Sequence, residues 1–171
     1  MANTVKNVFR VINFIIFIGI LIGAYFIYQN IQKEGGKTSE LNRLQNLYSA
    51  GQFQDFLNEY EKLSAKYPEI KGQHNEQLSK CYAGLAQAKY EKALSLPANE
   101  RSSPMSEVSS LLEKAESLSK LDIEALQIYC DALLDSGNFD KASQVIRDAE
   151  SRTDIDAKIL SIYKMRIEKR K

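Results

Sequence analysis

Apolar and polar positions split the chain into two regimes near residue 31. Val11 to Tyr28, VINFIIFIGILIGAYFIY, is an almost unbroken apolar run, and Ile31 extends it. At about 1.5 Å of rise per helical residue, the stretch 11–31 is long enough for a hydrocarbon core roughly 30 Å thick. A dozen Ile, Leu, Val and Phe residues in it outweigh the single Asn13. Beyond it, apolar residues recur at spacings of three and four, as one face of an amphipathic helix requires. Leu41, Leu44, Leu47 and Tyr48 keep that spacing. After Gly51, Phe53, Phe56, Tyr60 and Leu63 lead to Tyr67-Pro68. A glycine turn between two such helices, closed by proline, predicts a helical hairpin.

The pattern returns further on. Leu126, Tyr129, Cys130, Leu133 and Leu134 mark one helix face behind Asp122, a predicted N-cap. Ser136-Gly137-Asn138 is the turn, and Phe139, Ala142, Ile146 and Ala149 mark the next helix. Laying Gly51 over Gly137 places Phe53 on Phe139, Phe56 on Ala142, Tyr60 on Ile146 and Leu63 on Ala149. Self-similarity of this kind predicts stacked hairpins. Between them, Leu78, Cys81, Tyr82 and Leu85 open a helix that continues through Ala88, Ala93 and Leu94 to Leu96, where Pro97 stops it. Pro104 fits the first turn of the following helix, whose expected buried face is Leu111, Ala115 and Leu118. Thr153 with Asp156 predicts a cap for a last helix.

The expected fold is therefore all-α. A short tail (1–10) precedes a single transmembrane helix (11–31), a Gly35-Gly36 linker (32–37) and a helical-repeat domain (38–171). That domain is expected to contain hairpins at about 38–68, 75–122 and 123–152, closed by a capping helix at 154–168.

The hairpins carry a family resemblance. SGNFDKASQVIRDAE and AGQFQDFLNEYEKLSAKYP resemble the tetratricopeptide repeat, which has a turn glycine, an aromatic two residues on, then small or apolar residues at +5, +9 and +12. Gly137, Phe139, Ala142, Ile146 and Ala149 match throughout; Gly51, Phe53 and Pro68 match in the first hairpin. There Phe56 and Leu63 stand where the family has alanine, which implies a locally wider packing. The middle hairpin is longer than the usual period of about 34 residues. The resemblance implies an α-solenoid whose first helices line a concave, protein-binding groove. In this sequence the matching positions are Asn42, Gln45, Tyr48 and Ser49, then Lys80, Ala83 and Gln87, then Gln127, Asp131 and Asp135. The set lacks the Lys/Arg cluster by which some members clamp an acidic peptide end.

The apolar run reads as an uncleaved anchor. A secretory leader has a shorter core, about 7–15 residues, and small residues at its cleavage site, whereas this run ends in Tyr25-Phe26-Ile27-Tyr28. Gly19 and Gly23 form a GxxxG pair suited to close helix packing in a membrane. Lys6 and Arg10 precede the run, and Lys33 and Lys37 follow it with Glu34 between them, a slight bias toward a cytoplasmic N-terminus. The domain is then expected on the opposite, periplasmic or extracytoplasmic side.

Composition removes several function classes. Setting aside Lys6, Arg10, Lys33, Lys37 and Glu34 leaves 19 basic and 21 acidic residues, no footprint for nucleic acid. His74 is the only histidine, so no His–His metal pair is possible. Cys81 and Cys130 fall on apolar helix faces, where cysteine behaves as a small hydrophobe. No phosphate-binding glycine motif occurs. The basic tail MRIEKRK suits a helix C-terminus or, alternatively, contact with anionic lipid or an acidic partner.

No catalytic residue, cofactor or metal is expected, and no enzyme. The expectation is a membrane-anchored scaffold or adaptor for other proteins, held in the bilayer through residues 11–31, its oligomeric state open. Its layout is similar to that of bacterial inner-membrane proteins with an N-terminal anchor and a periplasmic repeat domain, in envelope complexes or protein translocation and assembly. Two alternatives stand beside it: a receptor capturing transported polypeptides, as mitochondrial import receptors do, and a small accessory subunit of a larger membrane complex.

Overall fold

The computed structural model describes the backbone from Ala2 to Arg170 and the side chains of residues 21–28 and 34–170. Among the described residues the protein is all-α, with seven α-helices and two short 3₁₀ turns. The helices are α1 (Ala2–Ser49), α2 (Phe53–Lys66), α3 (Asn75–Leu94), α4 (Ser102–Leu118), α5 (Ile123–Asp135), α6 (Phe139–Ala149) and α7 (Ala157–Glu168). The 3₁₀ turns are Pro68–Ile70 and Ala98–Glu100. The chain forms two compact units, Met1–Gln45 and Asn46–Lys171.

The first unit consists of most of α1. The joint expected at residues 32–37 is helical, because α1 runs unbroken through Gly35 and Gly36. Each interior glycine costs about 1 kcal/mol relative to alanine, but extending a helix is far cheaper than nucleating a new one. Thr38 Oγ1 donates to Glu34 O at 3.0 Å across this stretch. Among the described residues no helix is long and apolar enough to cross a membrane. The span expected at 11–31 falls largely on residues whose side chains lie outside the described set, as does Gly19. Gly23 lies within it, with open space where a Cβ would stand.

The second unit is built of hairpins, and two of its turns are the same motif. Gly51 and Gly137 have φ of +69° and +82°, the left-handed conformation that glycine adopts without a Cβ penalty. Gln52 N–H donates to Leu47 O at 3.0 Å and Gly51 N–H to Tyr48 O at 3.0 Å. Asn138 N–H donates to Leu133 O at 2.7 Å and Gly137 N–H to Leu134 O at 3.2 Å. Both are Schellman closures, which satisfy the last carbonyls of the preceding helix. Each next helix starts on its aromatic, Phe53 in α2 and Phe139 in α6. The paired positions behind them, Phe56 with Ala142 and Leu63 with Ala149, are all buried.

Helices α2 to α7 pack consecutively, and α3 also meets α5. The main core runs from Ala86 and Ala93 of α3 through Met105, Val108, Leu112 and Ala115 of α4 to Leu160, Tyr163 and Ile167 of α7. At about 1.5–3 kcal/mol for each large side chain removed from water, this layer holds the unit together. At the other end, aromatics form a chain: Tyr48 to Phe56 at 5.7 Å, Phe56 to Tyr60 at 6.4 Å, Tyr60 to His74 at 5.9 Å.

Three local expectations are corrected. The fully buried face of α4 is Met105, Val108, Leu112 and Ala115, while Leu111 and Leu118 are only half-buried. The stripes 111–115–118 and 108–112–115 have the same period and share Ala115, and α5 and α3 take the second one as core. In α3, Ala88 and Leu94 are exposed. The last helix begins at Ala157, not at residue 154, because Asp156 is its N-cap, accepting from Lys158 N at 2.8 Å. The Asp122 cap forms as expected, accepting from Ala125 N at 2.8 Å.

Candidate functional site

The positions expected to line a groove fall on three helices. Asn42 and Gln45, on α1, are exposed members of the first unit. Tyr48 is half-buried against Phe56, and Ser49 is exposed at the end of α1. On α3, Lys80 is bound to Glu76 at 2.7 Å, and its ammonium pKa is raised by that hydrogen bond. Ala83 lines a small cleft with Lys80, Ser119 and Asp122. Gln87 donates to Glu91 at 3.3 Å and to Glu124 at 3.4 Å. Gln127, Asp131 and Asp135 lie on α5.

These last three are occupied by α7 and by Arg170 just beyond it. Tyr163 Oη donates to Gln127 O at 3.3 Å, Arg166 binds Asp131, and Arg170 binds Asp135 at 2.9 Å. Tyr90 on α3 donates to the second Asp131 oxygen at 3.0 Å, so one carboxylate ties three helices together. Burial, then the Asp131 charge, pushes the Tyr90 phenol up to about 12. Burial lowers the Arg166 guanidinium, but its hydrogen bond to Asp131 and the charges of Asp131, Tyr163 and Asp135 together outweigh this and raise it. A cavity of about 450 Å³ beside this ladder is lined by Tyr90, Arg101, Asp131, Asp135, Arg166 and Arg170. Arg101 is already committed to the end of α3, donating to Leu96 O and Leu94 O at 2.8 Å each. The basic tail thus spends Arg166 and Arg170 within the chain. Sequence reading missed this ladder, because each rung joins residues 35 or 36 positions apart.

A cleft of about 550 Å³ lies elsewhere in the second unit, among α2, α3 and α4. Leu57, Tyr82, Leu85, Leu111 and Leu118 line it half-buried, with Leu78 buried among them. Gln54 and Asn58, bonded to each other at 3.1 Å, stand with Glu61 along the α2 wall. Lys114 stands on the α4 wall, its ammonium 5.9 Å from the Tyr82 ring centre. Leu111 and Leu118 were expected in the core. The signal that could have placed them here is the second apolar stripe on α4, more than one core face needs.

The thiols and the histidine do not meet in a reactive arrangement. Cys81 and Cys130 are free and buried, and burial pushes both up to about 12, far from the thiolate that a nucleophile needs. His74 bonds Gln77 beside the Tyr60 ring. Among the described residues no group of three His, Cys, Asp or Glu side chains could hold a metal ion.

No protein-family model, curated protein or solved structure matches the chain.

Proposed function

We propose that the protein is a single-pass membrane scaffold whose tetratricopeptide-like helical unit holds other proteins at the bilayer. The anchor reading rests on the run from Val11 to Tyr28. It is supported by Tyr25, Phe26, Ile27 and Tyr28, four consecutive residues that are each 60–64% exposed. At 100° per residue they point all round the helix, and a helix apolar on every side suits hydrocarbon. Two basic residues flank the run on each side, Lys6 and Arg10 before it and Lys33 and Lys37 after it, and Glu34 offsets the second pair; this slight bias supports a cytoplasmic N-terminus with the helical unit on the opposite side.

One observation carries the protein-binding half. The cleft among α2, α3 and α4 is walled by half-exposed leucines, with one acid and one base among the residues that line it. Such a surface recognises shape and apolar side chains. Anchoring it confines it to two dimensions and raises its effective concentration toward membrane partners.

The same cleft also suits a receptor for polypeptides in transit. Cross-linking in membranes, followed by purification of the full chain, separates the readings. A scaffold yields a fixed polypeptide at constant ratio, and yields it again when residues 1–31 are replaced by an unrelated span. A receptor yields many polypeptides. An accessory subunit held by its anchor loses its partner in the swap.

A further inference from the structure

We propose that the cleft among α2, α3 and α4 docks an amphipathic α-helix of a partner protein. The helix lays an apolar stripe on the leucine floor, with a basic edge toward Glu61 and an acidic edge toward Lys114. This rests on the protein-binding reading above and assigns its site and the chemistry of its partner.

The floor sets the kind of ligand. Leu57, Leu85, Leu111 and Leu118 come from three helices and all keep part of their surface in water. Leu111 and Leu118 lie seven residues apart on α4, two helical turns or about 10.5 Å. A partner helix with apolar residues at i, i+3 or i+4, and i+7 repeats that spacing. The walls are helices whose backbone groups are already paired, so an extended strand would find no edge to hydrogen-bond.

The rims set its charge. Glu61 and Lys114 are the two charged residues lining the cleft, and they stand on opposite walls. Other cations are paired within the chain, Lys89 with Glu107 at 2.6 Å and Lys141 with Glu113 at 2.9 Å. Among the described residues, neither Glu61 nor Lys114 has an ion-pair partner; Lys114 rests over the Tyr82 ring. A helix with one basic and one acidic edge satisfies both rims at once. It meets this condition in either direction along the cleft if its edges are arranged to match.

The test uses the full chain in lipid nanodiscs and three labelled synthetic helices with the same leucine stripe. Their edges are Lys/Glu, Lys/Lys and Glu/Glu, and binding is read by fluorescence anisotropy against empty nanodiscs. The Lys/Glu helix is expected to bind saturably, about two- to five-fold tighter than either of the others. Leu85→Asp should weaken it tenfold or more. Glu61→Lys, an exposed change that leaves the core untouched, should shift the preference to the Glu/Glu helix. Absence of saturable binding, or affinities unmoved by both substitutions, overturns the proposal. So does concentration-dependent self-association that Leu85→Asp abolishes, which would assign the cleft to a second copy. A co-purified partner insensitive to both substitutions overturns the cleft and leaves the scaffold standing. Absence of any cross-linked partner overturns the scaffold itself.

Discussion

The Phe53 ring lies against the bare Cα of Gly84: a Cβ built on Gly84 would stand 2.2 Å from Phe53 Cε2 and 2.6 Å from Cδ2. The first residue of α2 thus packs into a gap in the middle of α3, and the missing side chain makes that approach possible. Alanine in a helix interior gains about 1 kcal/mol over glycine, while overpacking costs about 1–3 kcal/mol. Gly84→Ala is expected to destabilise the protein by about 1 kcal/mol. In a Phe53→Ala background the same change should stabilise it by up to about 1 kcal/mol. A double-mutant cycle by urea denaturation checks the change of sign; stabilisation with Phe53 present would contradict this packing.

Glycines in this chain should respond oppositely according to backbone conformation. Gly137 sits at φ +82° in its turn, whereas Gly36 lies inside α1 and is not among the positive-φ glycines. Gly137→Ala is expected to cost about 1–2 kcal/mol, and Gly36→Ala to add helix stability by up to about 1 kcal/mol. Thermal unfolding followed by circular dichroism measures both.

Asp131 and Asp135 offer a graded test of the ladder between α5 and α7. Asp131 accepts from both Tyr90 and Arg166, while Asp135 accepts from Arg170 at the more open end. Asp131→Ala should cost about 1–3 kcal/mol by stranding two donors, and Asp135→Ala less than about 1 kcal/mol. Hydrogen exchange in α7 should quicken in the first variant and barely change in the second.

Burial of the thiols makes stability sensitive to alkali. Cys81, Cys130 and Tyr90 all have pKa values pushed up to about 12, so folding favours their neutral forms. A raised pKa contributes fully below the unfolded value and is lost as pH climbs toward the folded one. Stability should therefore fall above about pH 9, with a slope of about 1.4 kcal/mol per pH unit for each group titrating only when unfolded. Urea midpoints between pH 7.5 and 11 should fall less steeply in the Cys81→Ala, Cys130→Ala variant than in the unaltered chain.

The two glycine turns at 51 and 137 were legible because their information is local. Gly51 and Gly137 each stand two residues before an aromatic, and the structure closes both with the same pair of hydrogen bonds. Asp122 announced α5 for the same reason. The face of α4 was not legible: two stripes of equal period cross at Ala115, and only the position of α5 decides between Leu112 and Leu111. Gly35-Gly36 looked like a joint because propensity is a weak prior against a long flanking helix. The candidate site was the least legible part. Leu57 of α2, Leu85 of α3 and Leu118 of α4 share a cleft through packing that no spacing rule encodes, and Arg166 and Arg170 take Asp131 and Asp135 from a distance of 35 residues.

Topology is the most direct measurement for a membrane scaffold. Single cysteines are introduced as Asn3→Cys and Gly36→Cys, on either side of the run at 11–31, and intact cells are treated with a membrane-impermeant maleimide. Cys81 and Cys130 stay in place, since both are buried in the folded unit. Gly36→Cys is expected to label at once, and Asn3→Cys only after the cells are opened. Labelling of Asn3→Cys with Gly36→Cys protected would contradict the proposed orientation, and equal labelling of both would contradict a membrane between them.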